Sequence, residues 1–400
     1  MNPMLSFEEA LDRLTAAARP IAETEEVDTV QACGRVIART LRCAIDVPRC
    51  DMSMMDGYAL ACADVPAAGA RLRVSQRIPA GSVGLPLEAG CAARIFTGAP
   101  LPEGADAVVM QELCSHDGDT VSVNHTPHPG EWITRRGADI ARGAELLAAG
   151  TRLGPQHVGL AASAGAASLA VVRRARVALF STGSELVTPG EPLPEGAIYN
   201  SNRYMLHALL LRLGCAVTDY GIVPDRLDAT RSALREAAAG ADLILTSGGV
   251  SVGEEDHVRP AVEAEGRLDL WRIAIKPGKP LAYGAVGDAA FIGLPGNPVS
   301  SFVTFVMLVR PWLLRTMGAA ATAPRPLRLT AGFDWPRPDA RREFLRCRRG
   351  PRGTVEIHPN QSSAVLSSTA WADGLVDNAP GCTIRCGDEV SFLPFSDLLD

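Results

Sequence analysis

Between residues 170 and 320, apolar β-favouring runs alternate with helix signals, and this alternation constrains the fold more than any other feature of the sequence. Val177 to Phe180, Ala216 to Val223, Asp242 to Thr246, Trp271 to Ile275 and Phe291 to Ile292 read as strands. Asn202 to Leu213, Asp228 to Ala239, a segment after Asp256, and Val299 to Thr316 read as helices, the first stopped by Gly214. Strands that are apolar throughout, separated by helix-length segments, predict a parallel sheet covered on both faces. The expected class is therefore α/β, with a doubly wound parallel-sheet domain over 170–321.

At 400 residues the chain is longer than one such domain requires. Ser6-Phe7-Glu8-Glu9 forms a capping box, with Leu11, Leu14 and Ala18 at helical spacing before Pro20. That predicts a packing arm. Residues 139–169 are rich in Ala and Gly, and the helical stretch after Pro155 is expected to return the chain to this arm. Residues 1–43 with 139–169 are read as an elongated N-terminal linker and dimerisation domain. In 44–138, short runs (Arg71 to Val74, Ala92 to Phe96, Ala107 to Met110, Thr120 to Val123) alternate with Gly and Pro turns, predicting a β-rich domain. Leu327 to Leu329, Thr354 to Ile357 and Val390 to Leu393 predict a C-terminal β-barrel over 322–400. The Arg-rich stretch from Arg337 to Arg352 reads as solvated barrel surface, Arg341 excepted.

The balance of 39 basic and 45 acidic side chains leaves a formal charge of −6, with no overall attraction to nucleic acid or anionic lipid. Neither is expected as a partner. Glu8, Glu9 and Asp12 stand where a secretory signal is basic and then apolar. The longest apolar run, Phe302 to Val309, is far shorter than the roughly 20 residues of a spanning helix. A cytoplasmic protein is expected, and ten singly scattered cysteines predict reduced thiols, with neither a zinc site nor a disulfide framework. Only two of the 39 basic residues are lysines, Lys276 and Lys279, which leaves 37 arginines; both lie in Lys276-Pro277-Gly278-Lys279-Pro280. An ammonium is a compact charge with mobile donors, suited to an oxyanion that a planar guanidinium fork fits differently.

Ligands of an open parallel sheet bind beyond the carboxyl ends of its strands. Here those ends run into Ser181-Thr182-Gly183-Ser184-Glu185, Pro224-Asp225, and Ser247-Gly248-Gly249-Val250-Ser251 continuing to Asp256. Glycines let backbone N–H groups approach a phosphate, and hydroxyls add donors. Glu185, Asp225 and Asp256 on the same rim would repel a phosphate unless a cation intervened, which points to Mg²⁺. In Pro295-Gly296-Asn297-Pro298, Asn297 is placed to cap a helix with Pro298 at its first position, and the helix N-terminus can receive an anion. Neither loop matches the Walker or Rossmann fingerprint, which argues against P-loop NTPases and dehydrogenases.

Several motifs occur together and in order: Ser53-Met54-Met55-Asp56-Gly57-Tyr58-Ala59, Thr97-Gly98-Ala99, Pro102 to Val109, Ser181 to Leu186, Ser247 to Gly253, Lys276 to Pro280 and Leu294 to Pro298. As a set they resemble the MoeA-type molybdopterin molybdenumtransferases, the family that includes the E domain of gephyrin. The resemblance covers essentially the whole chain and implies a four-part homodimer whose α/β domain is MogA-like. It implies insertion of molybdate into adenylylated molybdopterin, with Mg²⁺-dependent loss of AMP, to give molybdenum cofactor. By position, Glu185, Asp225 and Asp256 match the family's acidic metal and catalytic residues. Asp56 and Thr97 match polar residues of the β-rich domain that complete the cleft. Lys276 and Lys279 match lysines associated with molybdate, and Arg341 with Ser362 its other contacts. Arg272 stands where a family member carries lysine, so a cation is retained there. The substrate-binding set implied is Ser181, Thr182, Gly183, Ser247, Gly248, Gly249, Ser251, Pro295, Gly296, Asn297, Pro298, Arg272, Arg341 and Ser362. A MogA-type adenylyltransferase and apo-molybdoenzymes are implied as partners. The rival readings are a MogA-like adenylyltransferase, against which the additional domains speak, and a non-catalytic gephyrin-like scaffold, against which the retained acids and lysines speak.

Overall fold

The computed structural model describes residues 4–249 and 257–399. Its central sheet has six strands in the order Ala216–Val223, Arg176–Thr182, Leu243–Ser247, Ala289–Leu294, Pro280–Val286, Gly266–Arg272. The first four run parallel, as the apolar runs predict. Side chains alternate across a strand, so Val177 and Leu179 enter one core while Ala178 and Phe180 enter the other. Helices Ser201–Arg212 and Pro298–Thr304 cover the first face; Leu227–Ala238 and Val258–Glu265 cover the second. The helical run that starts at Pro298 continues to Thr316 through a wide π turn, Phe305–Val309. Pro311 follows that turn; it has no N–H to donate to Met307 and its ring crowds that carbonyl, which favours a widened turn.

The sequence reading missed the strand Pro280–Val286, which runs antiparallel to both neighbours and makes the sheet mixed. Its opening proline and its glycine look like turn signals. Gly284 is required by close approach instead, because a Cβ there would lie 2.0 Å from the Arg267 carbonyl oxygen. The expected strand Trp271 to Ile275 is divided: Gly266–Arg272 belongs to the α/β sheet, whereas Ile275–Lys276 leaves it and pairs in parallel with Arg342–Arg349 of the C-terminal domain.

That domain is a closed five-stranded barrel, formed by Arg342–Arg349, Thr354–Ile357, Leu327–Ala331, Glu389–Pro394 and Gly374–Asn378. The Arg-rich stretch expected at its surface supplies one of the barrel strands, and Arg346 is 1% exposed. The β-rich domain contributes another six-stranded sheet, in which Gly57–Leu60 is buried between Cys91–Ile95 and Ala107–Met110. The strand Thr24–Asp28 pairs with Ser168–Val172, and the helix Pro155–Ser163 lies beside them, so the two linker segments do meet.

The capping box forms as expected, with Glu9 N–H donating to Ser6 Oγ at 3.1 Å and Ser6 N–H to Glu9 Oε2 at 2.8 Å. The apolar face of helix Phe7–Ala17 is not left free for a partner. Phe7, Ala10 and Leu14 are buried with Met307, Trp312 and Phe344 of the same chain, the Phe7 and Phe344 rings 5.4 Å apart. The arm therefore closes the chain's own core, because an exposed stripe of this kind is more stable buried nearby. Leu14→Ala is expected to lower stability by about 2–5 kcal/mol and Ser6→Ala by about 1 kcal/mol. Thermal unfolding checks this; a Leu14→Ala midpoint equal to wild type would contradict the packing described.

Candidate active site

Because the first four strands are parallel, their carboxyl ends reach one edge of the sheet, where a cleft of about 1260 Å³ opens against the barrel. Its α/β wall is made by Thr182, Gly183 and Glu185 at the end of Arg176–Thr182, Asp225 after Ala216–Val223, Ser247, Gly248 and Gly249 at the end of Leu243–Ser247, and Pro295, Gly296, Asn297 and Pro298 after Ala289–Leu294. Gly183 has φ 147°, a backbone conformation that other side chains rarely adopt, so the turn that presents Glu185 favours glycine. Asn297 does occupy the N-cap position, but its side chain makes no capping bond. It remains exposed at the cleft.

The opposite wall comes from the crossing segment and the barrel. Lys276, Lys279, Arg341 and Ser362 all line the cleft. Lys276 Nζ donates to Glu343 Oε1 at 3.0 Å and lies 3.2 Å from Asp339 Oδ2. Partial burial pulls its pKa down, but the bonds and charge from Glu343 and Asp339 outweigh this and hold the ammonium above its ordinary value. Lys279 has no side-chain partner among the described residues. Arg341 is largely committed within the protein, its Nε and one terminal nitrogen forking onto Asp339 at 2.9 and 2.8 Å. This fork, against some burial, holds the Asp339 carboxyl well below the usual carboxylate range.

Other expected residues lie elsewhere. Ser181 is fully buried beneath the cleft and does not line it; its Oγ has no partner among the described residues. Arg272 is exposed at the end of the sheet's edge strand and also does not line the cleft. Asp56 and Thr97 are together but outside the cleft of this chain: the Thr97 N–H and hydroxyl both donate to Asp56 Oδ1 at 2.8 Å, which lowers the carboxyl pKa. The β-rich domain that carries them has its own cores, and neither residue lines the cleft that holds the lysines. Ser251 and Asp256 lie outside the described residues.

Three features escaped the sequence reading. Asn200 and Asn202 line the cleft at 2% and 9% exposure. Asn200 Oδ1 accepts from Arg203 N–H and Asn202 Nδ2 donates to the Gly296 carbonyl, leaving Asn200 Nδ2 and Asn202 Oδ1 without described partners. Buried polar atoms without partners are uncommon, and beside a cleft they fit a ligand. The third is Arg346, whose guanidinium donates to the Ser362 carbonyl and Ser368 Oγ, both at 3.2 Å. Its backbone exchanges bonds with the Gln361 side chain at 2.9 and 3.0 Å, so Arg346 anchors the loop that brings Gln361, Ser362 and Ser363 to the cleft. Desolvation pushes its pKa down to about 10. Only its position inside an apparent surface run of arginines, two residues after an apolar Phe344, hinted at burial.

Among the described residues no group of three or more His, Cys, Asp or Glu could hold a metal ion. Glu185 and Asp225 nevertheless suit Mg²⁺, which is commonly held by one or two carboxylates together with phosphate oxygens. Acids and hydroxyl-bearing glycine loops on one wall and ammonium groups on the other give this cleft the chemistry of a candidate active site.

Comparison with known proteins makes the class specific. Residues 5–165 match the MoeA N-terminal region (domain I and II), 178–315 a probable molybdopterin binding domain, and 328–395 the MoeA C-terminal region (domain IV). The chain is 40% identical over 320 residues to the molybdopterin molybdenumtransferase of Haemophilus influenzae, covering 79% of this chain and 78% of that protein. It is 37% identical over 395 residues to molybdopterin molybdenumtransferase 2 of Mycobacterium tuberculosis, covering 94% and 95%. A crystal structure of the molybdopterin biosynthesis MoeA protein from Pyrococcus horikoshii superposes with a TM-score of 0.84 at 28% identity, over 98% of this chain and 100% of that one. The chain belongs to the molybdopterin molybdenumtransferase family, the MoeA proteins.

Arg346 is buried without a described carboxylate partner, and a desolvated charge is costly to the fold. What the guanidinium and its backbone hold in place is the loop of Gln361 and Ser362. Arg346→Met is expected to change stability by less than about 2 kcal/mol while lowering the affinity of the cleft for a tetrahedral oxyanion roughly tenfold or more. Calorimetric titration beside thermal unfolding separates the two; unchanged affinity would show that the anchored loop does not serve binding.

Proposed function

We propose that this protein inserts molybdate into adenylylated molybdopterin, with Mg²⁺-dependent release of AMP, to give molybdenum cofactor. The observation that carries this reading is that both lysines of the chain share one cleft with Glu185, Asp225 and the hydroxyl- and glycine-bearing strand ends. The substrate requires both sides. Loops Thr182-Gly183 and Ser247-Gly248-Gly249 receive its phosphates, and Lys276 and Lys279 hold the molybdate oxyanion beside the dithiolene sulfurs. Glu185 and Asp225, with Asp256, would hold Mg²⁺, which supplies charge neutralisation at the phosphate oxygens as AMP leaves. Asn200 Nδ2 and Asn202 Oδ1 offer the bound molecule one donor and one acceptor.

A homodimer belongs to the same reading: Asp56 and Thr97 do not line the cleft of their own chain, and a second copy is the source of a β-rich domain that could cover it. A MogA-type adenylyltransferase would supply the substrate and apo-molybdoenzymes would receive the product, all in the cytoplasm. The matches from residue 5 to 395 favour this over a stand-alone adenylyltransferase, which needs only the α/β domain.

Glu185→Gln and Asp225→Asn keep side-chain volume and remove charge. Each is expected to raise the Mg²⁺ concentration needed for AMP release by about tenfold or more; a wild-type Mg²⁺ dependence in both would remove the metal role. Lys276→Arg and Lys279→Arg keep charge but replace a compact ammonium with a planar fork, and are expected to weaken molybdate dependence by roughly 10- to 150-fold with less change in AMP binding. Wild-type molybdate titrations in both Arg variants would show that any cation serves. Light scattering is expected to give twice the chain mass of 42.2 kDa, and a stable monomer at micromolar concentration would contradict the dimer.

A further inference from the structure

Glu343 is 1% exposed in barrel strand Arg342–Arg349, directly opposite Lys276 in the parallel pairing. Three donors converge on its carboxylate: Lys276 Nζ on Oε1 at 3.0 Å, and Trp335 Nε1 and Asn378 Nδ2 on Oε2 at 2.7 and 3.1 Å. Glu343 does not line the cleft, whereas Lys276 does, with 41% of its side chain exposed. A carboxylate this deep is tolerated only when donors and charge satisfy it. Asp339, the ammonium's other neighbour, has both oxygens forked by Arg341. Glu343 is thus the partner that no arginine hydrogen-bonds among the described residues.

We infer that Glu343 is a positioning residue: held by Trp335 and Asn378, it fixes the direction of the Lys276 ammonium and so sets how well the cleft uses its oxyanion. The inference rests on the functional reading given above. An ammonium has three N–H groups. Two face the carboxylates of Glu343 and Asp339, and the remaining one is left for a ligand. With its direction fixed beforehand, the ordering cost of binding is reduced. Without Glu343, Lys276 keeps its charge but loses its aim.

Glu343→Gln isolates this role because glutamine has nearly the same shape and a single acceptor oxygen for three converging donors. If that oxygen serves Trp335 and Asn378, the amide N–H₂ meets the ammonium donor to donor; if it serves Lys276, the amide faces two N–H groups. Either arrangement loosens Lys276. In a molybdate titration of AMP release, Glu343→Gln is expected to raise the molybdate KM about tenfold, leave kcat within about twofold and leave equilibrium AMP binding unchanged. The same substitution added to Lys276→Ala is expected to have little further effect, since both act through one ammonium. Trp335→Phe removes one donor but keeps the carboxylate; it is expected to raise KM about threefold and gives a second reading if Glu343→Gln folds poorly. A wild-type KM in Glu343→Gln, or in Trp335→Phe where only that variant folds, would overturn the inference, as would a full multiplicative effect in the double variant. Should wild-type AMP release ignore molybdate altogether, the functional reading fails and this inference with it.

Discussion

The contact between the Lys276 ammonium and the buried Glu343 carboxylate fastens the segment that leaves the α/β sheet to the barrel strand behind the lysine wall of the cleft. Ile275–Lys276 leaves the α/β sheet to become an added strand on the barrel, and the next barrel residue along, Arg342, reaches Asp377 at 2.6 Å and Glu8 of the N-terminal helix. Phe344, on the other side of Glu343, is buried with Phe7, Met307 and Leu393. A single apolar core therefore runs from the N-terminal helix through the α/β domain into the barrel. Moving the barrel would disturb both that core and the lysine that faces the ligand.

This arrangement separates charge within one cleft. The α/β wall offers Glu185 and Asp225, which suit a cation bridging to phosphate; the other wall offers Lys276 and Lys279, which suit a bare oxyanion. Arginines are plentiful, yet those near the site hold protein parts in place: Arg341 grips Asp339, and Arg346 anchors the loop carrying Ser362. The planar fork makes fixed bonds to fixed acceptors, while Lys279 has no side-chain partner among the described residues and Lys276, held by Glu343 and Asp339, keeps part of its ammonium open to the cleft. The scarcity of lysine in the sequence thus has a physical counterpart in the site.

The α/β core was legible because strands such as Leu243–Ser247, buried on both faces, must be apolar throughout. The placement of Glu185, Asp225 and the strand-end glycines Gly183, Gly248 and Gly249 at one cleft followed from topology, as four parallel strands bring their carboxyl ends to one edge. Pro280–Val286 was hidden because Gly284 answers a close backbone approach and reads locally as a turn. Arg346 was hidden because a buried guanidinium satisfied by carbonyls and a serine hydroxyl looks like any surface arginine in sequence. Arg341 stood out by position but turns out to be engaged with a carboxylate two residues away. Asp56 and Thr97 illustrate another limit: motif matching groups them with the site, whereas one folded chain keeps them apart from it.

If the proposed function holds, the two lysines mark the place where the oxyanion sits. Crystals soaked with molybdate and measured across the molybdenum absorption edge locate the metal without any assumption about the ligand. One dominant anomalous peak is expected within hydrogen-bonding reach, through its oxygens, of Lys276 Nζ and Lys279 Nζ, close to the loop of Ser362. A dominant peak at another cluster of positive charge, such as the pocket of Arg35, Arg173, Arg174 and Arg176 beside the linker strand Thr24–Asp28, with none between the lysines, would contradict it.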